Sequence, residues 1–291
     1  MDELILDILK QLRDSSQGAL DTHQLEMLIN SHNSGIDSSA HSTEREKLIP
    51  KRAILPYFLQ VKQNNDELWK SWNVTPELEE RFIRSVRMKP RRTASGVATI
   101  TVITRPHTCS SNCIYCPCDL RMPKSYLANE PACQRAELTF FDPYVQVAAR
   151  LQALHQMGHS TDKVELIVLG GTWSDYPESY QYWFIKELFR ALNDWPNSPN
   201  HIKERLNWYT SFGLQNSEEA LSSFVAEQQA AVFDDTATYN QAFHKLYDTS
   251  QPHQNAWSQM QSTYDELVEQ QHVNETAAAR VVGLVIETRP D

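Results

Sequence analysis

Hydrophobic residues recur at helical spacing over much of the first 90 positions. Residues 2–30 are predicted to be helical, because Leu4, Ile5 and Ile8 begin an i, i+3, i+4 repeat. Further helical patterns cover 52–72, interrupted by Pro56, and 76–88. The segment 31–43 is rich in serine and histidine and predicts a linker. These patterns predict a small helical region over residues 1–92.

The pattern changes at Val97, where short apolar runs begin to alternate with helical segments. Runs at 97–104 and 164–169 are dense in β-branched residues and predict buried strands. The run at 281–287 predicts a further strand that would expose an unpaired edge or an uncovered apolar face, and 206–212 is a fourth candidate. Helices are predicted from Asp142-Pro143 to a stop at Gly158, over 178–193, and in the polar segments 217–232, 238–248 and 258–280. Strands that alternate with helices predict an α/β fold with parallel strands over residues 93–291.

Composition narrows the class of protein. Hydrophobic residues make up 41% of the 291 positions, which excludes a wholly disordered chain. The formal charge of −10 argues against indiscriminate coating of nucleic acid or membrane. The first residues are acidic where a signal peptide needs basic ones, and no apolar run approaches the ~18 residues of a membrane span. We therefore expect a cytoplasmic protein without a membrane partner.

One segment departs from the acidic average, with six cations in twelve residues. They are Arg81, Arg84, Arg87, Lys89, Arg91 and Arg92. The first three are spaced by three, which places them on one face of a helix. Such a cluster is either a solvated face or a surface that contacts phosphates, and the sequence leaves both open.

Four of the five cysteines fall within ten positions. Cys109, Cys113 and Cys116 follow the first predicted strand at spacing x3 and x2, and clustered thiols in a reducing compartment favour a metal centre over disulfides. Three thiolates on a [4Fe–4S] cube leave one iron open to a small molecule. The alternative is a structural zinc site with Cys118 or His107 as fourth ligand. Cys133 fits a buried apolar position.

Three distinctive features follow three predicted strands. They are the cysteine loop, Gly170-Gly171, and residues 288–291. Because functional groups of parallel sheets lie beyond the carboxyl ends of the strands, we expect these features to meet at one edge.

The cysteine pattern, with Tyr115 before the last cysteine, resembles the radical S-adenosylmethionine superfamily. More narrowly, the chain resembles the catalytic subunit of Elongator and its bacterial and archaeal relatives. This closer likeness depends on combining the cysteines with the segments 92–97, 105–107, 158–165, 170–172 and 287–291, and on Tyr126, Glu130-Pro131, Arg135-Ala136 and Tyr144. It is close over 90–195 and the last dozen residues, and loose over 45–90.

The resemblance implies a [4Fe–4S] cluster on Cys109, Cys113 and Cys116, with S-adenosylmethionine on the free iron. Cleavage of S-adenosylmethionine would give a 5′-deoxyadenosyl radical. The family uses it with acetyl-CoA to form a carboxymethyl-type group at C5 of wobble uridine 34 in tRNA. Gly170 and Gly171 match the superfamily's Gly-Gly motif, where many members have Glu in place of Thr172. Glu287 and Arg289 are candidates for contacting S-adenosylmethionine, or for pairing with neighbouring side chains.

The same resemblance predicts a partial radical-enzyme βα barrel with the further barrel strands and an acetyltransferase domain absent. We therefore expect the amino-terminal part of a longer enzyme, with tRNA and the missing carboxyl-terminal half as partners and the basic cluster Arg81–Arg92 at the RNA. Two alternatives stay open: a non-catalytic zinc or RNA-binding module, and a radical S-adenosylmethionine enzyme acting on a small molecule.

Overall fold

The chain folds into two compact units in the computed structural model, which describes residues 1–15, 18–34, 48–111 and 113–289. The first unit comprises residues 1–95 with 153–160, and the second comprises 96–152 with 161–291. Residues 35–43 of the predicted linker, and Pro290 and Asp291, lie outside the described residues. Across the described part of the chain, no helix has the length and apolar character needed to cross a membrane.

The first unit is helical, as its hydrophobic pattern predicts. Its helices are α1 (Asp2–Asp14), α2 (Thr22–Asn33), α3 (Lys51–Asn64), α4 (Asp66–Ser71) and α5 (Pro76–Val86). The predicted helix over 52–72 is therefore two helices. Asn65 separates them, because its side chain accepts a hydrogen bond from the Leu68 amide at 3.1 Å and caps α4.

Apolar side chains from these helices form one core. The α1 residues Leu4, Ile5 and Ile8 are fully buried there. The ring of Phe58 stacks on that of Phe82 with 4.1 Å between centroids. The apolar positions that recur at helical spacing in the sequence therefore form the helix faces that pack against one another.

A parallel sheet forms the centre of the second unit. Strands β1 (Ala98–Ile103), β2 (Lys163–Leu169) and β3 (Arg280–Ile286) lie in the order β1-β2-β3. Ala98 pairs with Val164 and Ile103 with Leu169, and a register irregularity between β2 and β3 falls at Val164/Glu165. The α/β class and the parallel strands are confirmed, and a barrel remains a prediction.

The second unit also contains eight α-helices among its described residues, while Val282 and Val285 of β3 remain exposed. These helices are α6 (Pro131–Leu138), α7 (Pro143–Gln156), α8 (Glu178–Asn193), α9 (Ile202–Ser211), α10 (Glu218–Phe233), α11 (Tyr239–Tyr247), α12 (Gln251–Trp257) and α13 (Tyr264–Asn274). Asp142 caps α7 as predicted, since its carboxylate accepts the Val145 amide at 2.8 Å. The fourth strand predicted over 206–212 is wrong, because this segment is α9 and the turn after it. Trp208 and Phe212 are helical i, i+4 neighbours with 4.8 Å between ring centroids.

Candidate functional site

The three features that follow the strands meet in one cleft. The cysteine loop leaves β1, Gly170 and Gly171 follow β2, and residues 287–289 follow β3. Their residues line an open cleft of about 290 Å³ in the second unit, together with Thr172, Lys124 and Ser125. The parallel sheet produces this convergence, since its strands all end at the same edge.

All three cysteines of the C-x3-C-x2-C loop line this cleft as free thiols. Cys109 is buried, with its Sγ 3.4 Å from Thr172 Oγ1. Cys116 Sγ lies 3.0 Å from Ser125 Oγ, and Arg289 Nη1 lies 3.5 Å from Cys113 Sγ. Within the described ranges, no group of three or more His, Cys, Asp or Glu side chains is gathered tightly enough to hold a metal ion.

Helix α11 fixes the backbone of the first cysteine. The Asn240 side chain accepts a hydrogen bond from Cys109 N at 3.1 Å and donates one to Cys109 O at 2.8 Å. Two tyrosines of the same helix donate to carbonyls further along the loop, Tyr239 to Met122 and Tyr247 to Leu120. The polar segment 238–248, which had no predicted role, therefore holds the cysteine loop.

Two more residues absent from the sequence-based predictions also fix the loop. Asp175 accepts hydrogen bonds from Ser110 N at 2.8 Å and Ser110 Oγ at 3.1 Å. Lys124 is 4% exposed and donates to Ser111 O at 2.8 Å. An isolated Asn, Asp or Lys carries no spacing signal, so only the folded chain reveals these contacts.

The alternative metal ligands lie outside the cleft lining. Burial raises the pKa of the Cys118 thiol, and burial raises the pKa of Cys133 to about 12, which keeps both protonated near neutrality. Cys133 packs in a small apolar core with Met122. His107 Nε2 donates to Asp175 O at 2.9 Å, and burial lowers the pKa of His107 to about 4. None of the three residues is among those that line the cleft.

The two glycines differ in surroundings. A Cβ on residue 170 would lie 2.0 Å from Thr104 Oγ1, so internal packing alone requires glycine there. A Cβ on residue 171 would meet nothing closer than Lys124 N at 3.9 Å. Only Gly171 leaves room at the cleft that a side chain could fill.

Glu287 and Arg289 lie at the carboxyl end of β3, and both are exposed. Glu287 accepts a short hydrogen bond from the Tyr126 hydroxyl, and its amide donates to Val168 O at 2.9 Å. Burial and then the Glu287 carboxylate raise the pKa of Tyr126 above its ordinary value, so the phenol stays a donor. The structure thus places Glu287 beside a neighbouring side chain and Arg289 beside a cysteine.

The basic cluster lies in the first unit, on and after α5. Arg84, Lys89, Arg91 and Arg92 are exposed, and Arg84 pairs with Glu80 at 2.7 Å. Arg81 is half-buried and donates to Ser15 O at 2.9 Å. Arg87 is half-buried at the carboxyl cap of α5. The predicted cluster is thus divided between residues that support the fold and residues that face solvent.

The donor set fits an iron–sulfur cluster. Three thiols line one cleft, too far apart for a single metal ion but each free to bind a different iron of a cluster, and the cleft also presents Lys124, Arg289 and the Glu287 carboxylate. A cluster with three thiolate ligands is anionic. The thiols contact a hydroxyl from Thr172, another from Ser125, and the guanidinium of Arg289. Such donors stabilise thiolates and tune a cluster's potential.

Comparison with known proteins gives several relatives. A tRNA uridine(34) acetyltransferase of Methanocaldococcus infernus is 39% identical over 150 residues, which are 50% of this chain and 28% of that protein. A protein of the same name from Dehalococcoides mccartyi is 48% identical over 105 residues, 36% of this chain and 23% of that protein. Elongator complex protein 3 of Bos taurus is 38% identical over 146 residues, 46% of this chain and 26% of that protein. The resemblance to the Elongator catalytic subunit family is confirmed.

The likeness to these Elongator-type proteins is partial in extent. The chain spans about a quarter of the length of the curated relatives it matches. Among solved structures, that of the archaeal M. infernus Elp3 with an N-terminal deletion (1-46) matches at a TM-score of 0.32 and 26% identity, over 67% of this chain and 24% of that one. No protein-family model matches the chain.

Proposed function

We propose that this chain holds the cluster and S-adenosylmethionine of an enzyme that modifies wobble uridine 34 of tRNA. The enzyme would be a transferase that forms a carboxymethyl-type group at C5 of the uridine, with acetyl-CoA as co-substrate. The names of the relatives support acetyl transfer to uridine 34 as the coarse activity. The radical step and the product rest on the cysteine loop and its resemblance.

One observation carries the proposal: Cys109, Cys113 and Cys116 line the same cleft as Gly171 and Arg289. These residues come from three separate strand ends, up to 180 positions apart in the chain. A purely structural zinc site would have no need of a cleft with a bare glycine and an exposed arginine. A site that takes a small molecule beside a metal centre can use both, the glycine for room and the arginine for charge.

The residues of this chain have separable tasks in such a site. Cys109, Cys113 and Cys116 would bind three irons of a [4Fe–4S] cluster as thiolates. When bound, the cluster would supply the electron for reductive cleavage of S-adenosylmethionine. Gly171 leaves room for a ligand against the backbone, and Arg289 places a cation beside the anionic centre.

Substrate RNA would bind through cations of the first unit. Arg91 and Arg92 follow Pro90 in a short 3-10 helix and are exposed. Phosphate contacts by such residues supply affinity without sequence information. A wobble base would have to be presented unstacked for chemistry at C5.

Anaerobic reconstitution tests the cluster. We expect about four irons and four sulfides per chain with a brown chromophore. Cys109→Ala, Cys113→Ala and Cys116→Ala should each lose the chromophore, whereas Cys118→Ala and Cys133→Ala, the matched controls, should retain it. Stoichiometric zinc without a chromophore would favour the zinc-binding alternative. Formation of 5′-deoxyadenosine without saturable tRNA binding would favour a radical enzyme with a small-molecule substrate.

A further inference from the structure

Arg105 is a buried arginine whose backbone is held rigidly after β1. Its amide donates to the Tyr180 hydroxyl at 3.3 Å, and its carbonyl accepts from the Tyr176 hydroxyl at 2.7 Å. The residue is 7% exposed. Tyr176 and Tyr180 thus fix the Arg105 backbone, and with it the point from which the side chain extends into the protein.

The guanidinium of Arg105 has few polar partners. Its Cζ lies 4.0 Å from the centroid of the Trp257 ring and 4.8 Å from that of Tyr180. Nη1 donates to Pro106 O at 3.0 Å, while Nε is buried without a hydrogen-bond partner. In the described part of the chain, no Asp or Glu forms an ion pair with it.

This arrangement is costly for the folded chain. A guanidinium keeps its charge in proteins, and a buried charge is ordinarily paired. Burial lowers the pKa of Arg105, in line with that cost. The aromatic faces offset part of the cost through cation–π attraction, but they satisfy none of the remaining N–H donors.

A cavity of about 50 Å³ lies beside this guanidinium. Leu214, Val225 and Met260 contribute apolar walls, and the rings of Phe224 and Trp257 complete them. A single water needs at least ~10–15 Å³ and occupies ~30 Å³ in the liquid, so this cavity has room for a molecule of a few heavy atoms. Acetate is a molecule of that size.

The other titratable groups that line the cavity form no ion pair with Arg105. Glu137 is engaged by Arg121, whose Nε donates to Oε1 at 2.7 Å and whose Nη2 donates to Oε2. Burial and the nearby Arg105 lower the pKa of His253 to about 4, so its imidazole is neutral. The cavity therefore has an apolar wall and one cation without an ion pair, which the Asp248 carboxylate, outside the lining, stabilises through space.

We propose that this cavity binds a small monocarboxylate. The carboxylate accepts hydrogen bonds from N–H groups of the Arg105 guanidinium, whose planar arrangement of donors matches the two carboxylate oxygens. The short alkyl group lies against Leu214, Val225 and Met260. None of the lining residues lines the cysteine cleft, so the site is separate from the proposed cofactor site.

Titration of the full chain with ¹³C-labelled acetate, followed by NMR line width at constant ionic strength, tests the site. We expect saturable binding at one site per chain, weakened at least tenfold by Arg105→Met. Leu214→Phe should weaken it similarly, because the larger ring fills the cavity while Arg105 is unchanged. Arg190→Met, which alters a half-exposed arginine, should leave the dissociation constant unchanged.

Three results would overturn the proposal. They are the absence of saturable binding to the unsubstituted chain, unchanged binding to both Arg105→Met and Leu214→Phe, and displacement of acetate by chloride or nitrate at equal concentration. The last result would make the site a general anion site, since an apolar wall should favour acetate or propionate. If Arg105→Met fails to fold, Leu214→Phe and the competition series decide the outcome.

Discussion

Thr104 occupies the space that a side chain on residue 170 would need. A Cβ there would lie 2.0 Å from Thr104 Oγ1, and that hydroxyl is itself held 2.8 Å from the Tyr176 hydroxyl. At residue 171 the nearest atom would be 3.9 Å away. The two glycines are adjacent in sequence, but packing restricts only the first to glycine.

Gly170→Ala should therefore lower the free energy of unfolding by about 1–3 kcal/mol, because Thr104 or the strand end must move. Gly171→Ala is the matched control and should change it by less than about 0.5 kcal/mol. Urea denaturation of the two variants measures both values. Equal losses would contradict the contact with Thr104.

Asp142 combines helix capping with a buried ion pair. Besides capping α7, it accepts from Arg205 Nη2 at 2.9 Å and from the Tyr209 hydroxyl at 2.8 Å, and it is 1% exposed. Asp142→Ala should cost about 3–5 kcal/mol, since Arg205 would lose part of its counter-charge. Tyr209→Phe removes one hydrogen bond and should cost about 1–2 kcal/mol. A smaller loss of unfolding free energy for Asp142→Ala than for Tyr209→Phe would refute this account.

Acid should destabilise the second unit through His253. The folded pKa is about 4 because of burial and then Arg105, whereas an unfolded histidine has 6.5. Between these values the unfolded chain binds a proton that the folded chain does not, so the free energy of unfolding falls as pH falls from about 6.5 towards 4. At pH 4.5 the loss from this residue should be about 2 kcal/mol relative to pH 7.5.

His253→Asn isolates this contribution. The stability difference between the unsubstituted chain and His253→Asn should narrow by about 2 kcal/mol from pH 7.5 to 4.5. Asn255→Ala, on the same helix as His253, removes no ionisable group and is the control, so its stability difference should be independent of pH. A stability difference for His253→Asn that does not change with pH would refute the assignment of this pH dependence to His253.

Asn240 should govern access to Cys109. Asn240→Ala removes both hydrogen bonds to the Cys109 backbone, so we expect the thiol of this 8% exposed residue to be alkylated several-fold faster. Mass spectrometry of the iodoacetamide-treated protein, without metal, measures the rate. Asn255→Ala on α12 is the control and should leave the rate unchanged, and a rate unaffected by Asn240→Ala would show that the loop is held elsewhere.

The exposed part of the basic cluster should account for RNA affinity. Arg91→Glu with Arg92→Glu should weaken tRNA binding and reduce the slope of log K against log salt by about 1 per lost phosphate contact. Arg52→Glu with Lys70→Glu makes the same charge change at exposed positions of α3 and α4. Fluorescence anisotropy over a salt series compares the two pairs, and equal weakening would indicate a net-charge effect.

Periodicity and placement predicted much of the fold. The three strands begin and end within about two residues of their predicted bounds, because β-branched runs flanked by helices have few other interpretations. The segment around Trp208 was wrongly predicted to be a strand, because aromatic residues favour strands but also stack on one another along a helix. The cysteines and glycines could be placed at one edge from strand order alone. Asn240, Asp175 and Lys124 could not, because their contacts span long separations and carry no periodic pattern.

The hydrogen bonds from α11 to the cysteine loop limit how well the C-x3-C-x2-C motif can be transferred to another protein. A graft of residues 98–172 onto another scaffold would carry every thiol but none of the Asn240, Tyr239 and Tyr247 contacts that fasten the loop. Replacing 217–275 with a short tether would have the same effect within this chain. A shortened form of the protein should therefore keep α11, although no pattern in the sequence of this helix indicates a contact with the cysteine loop.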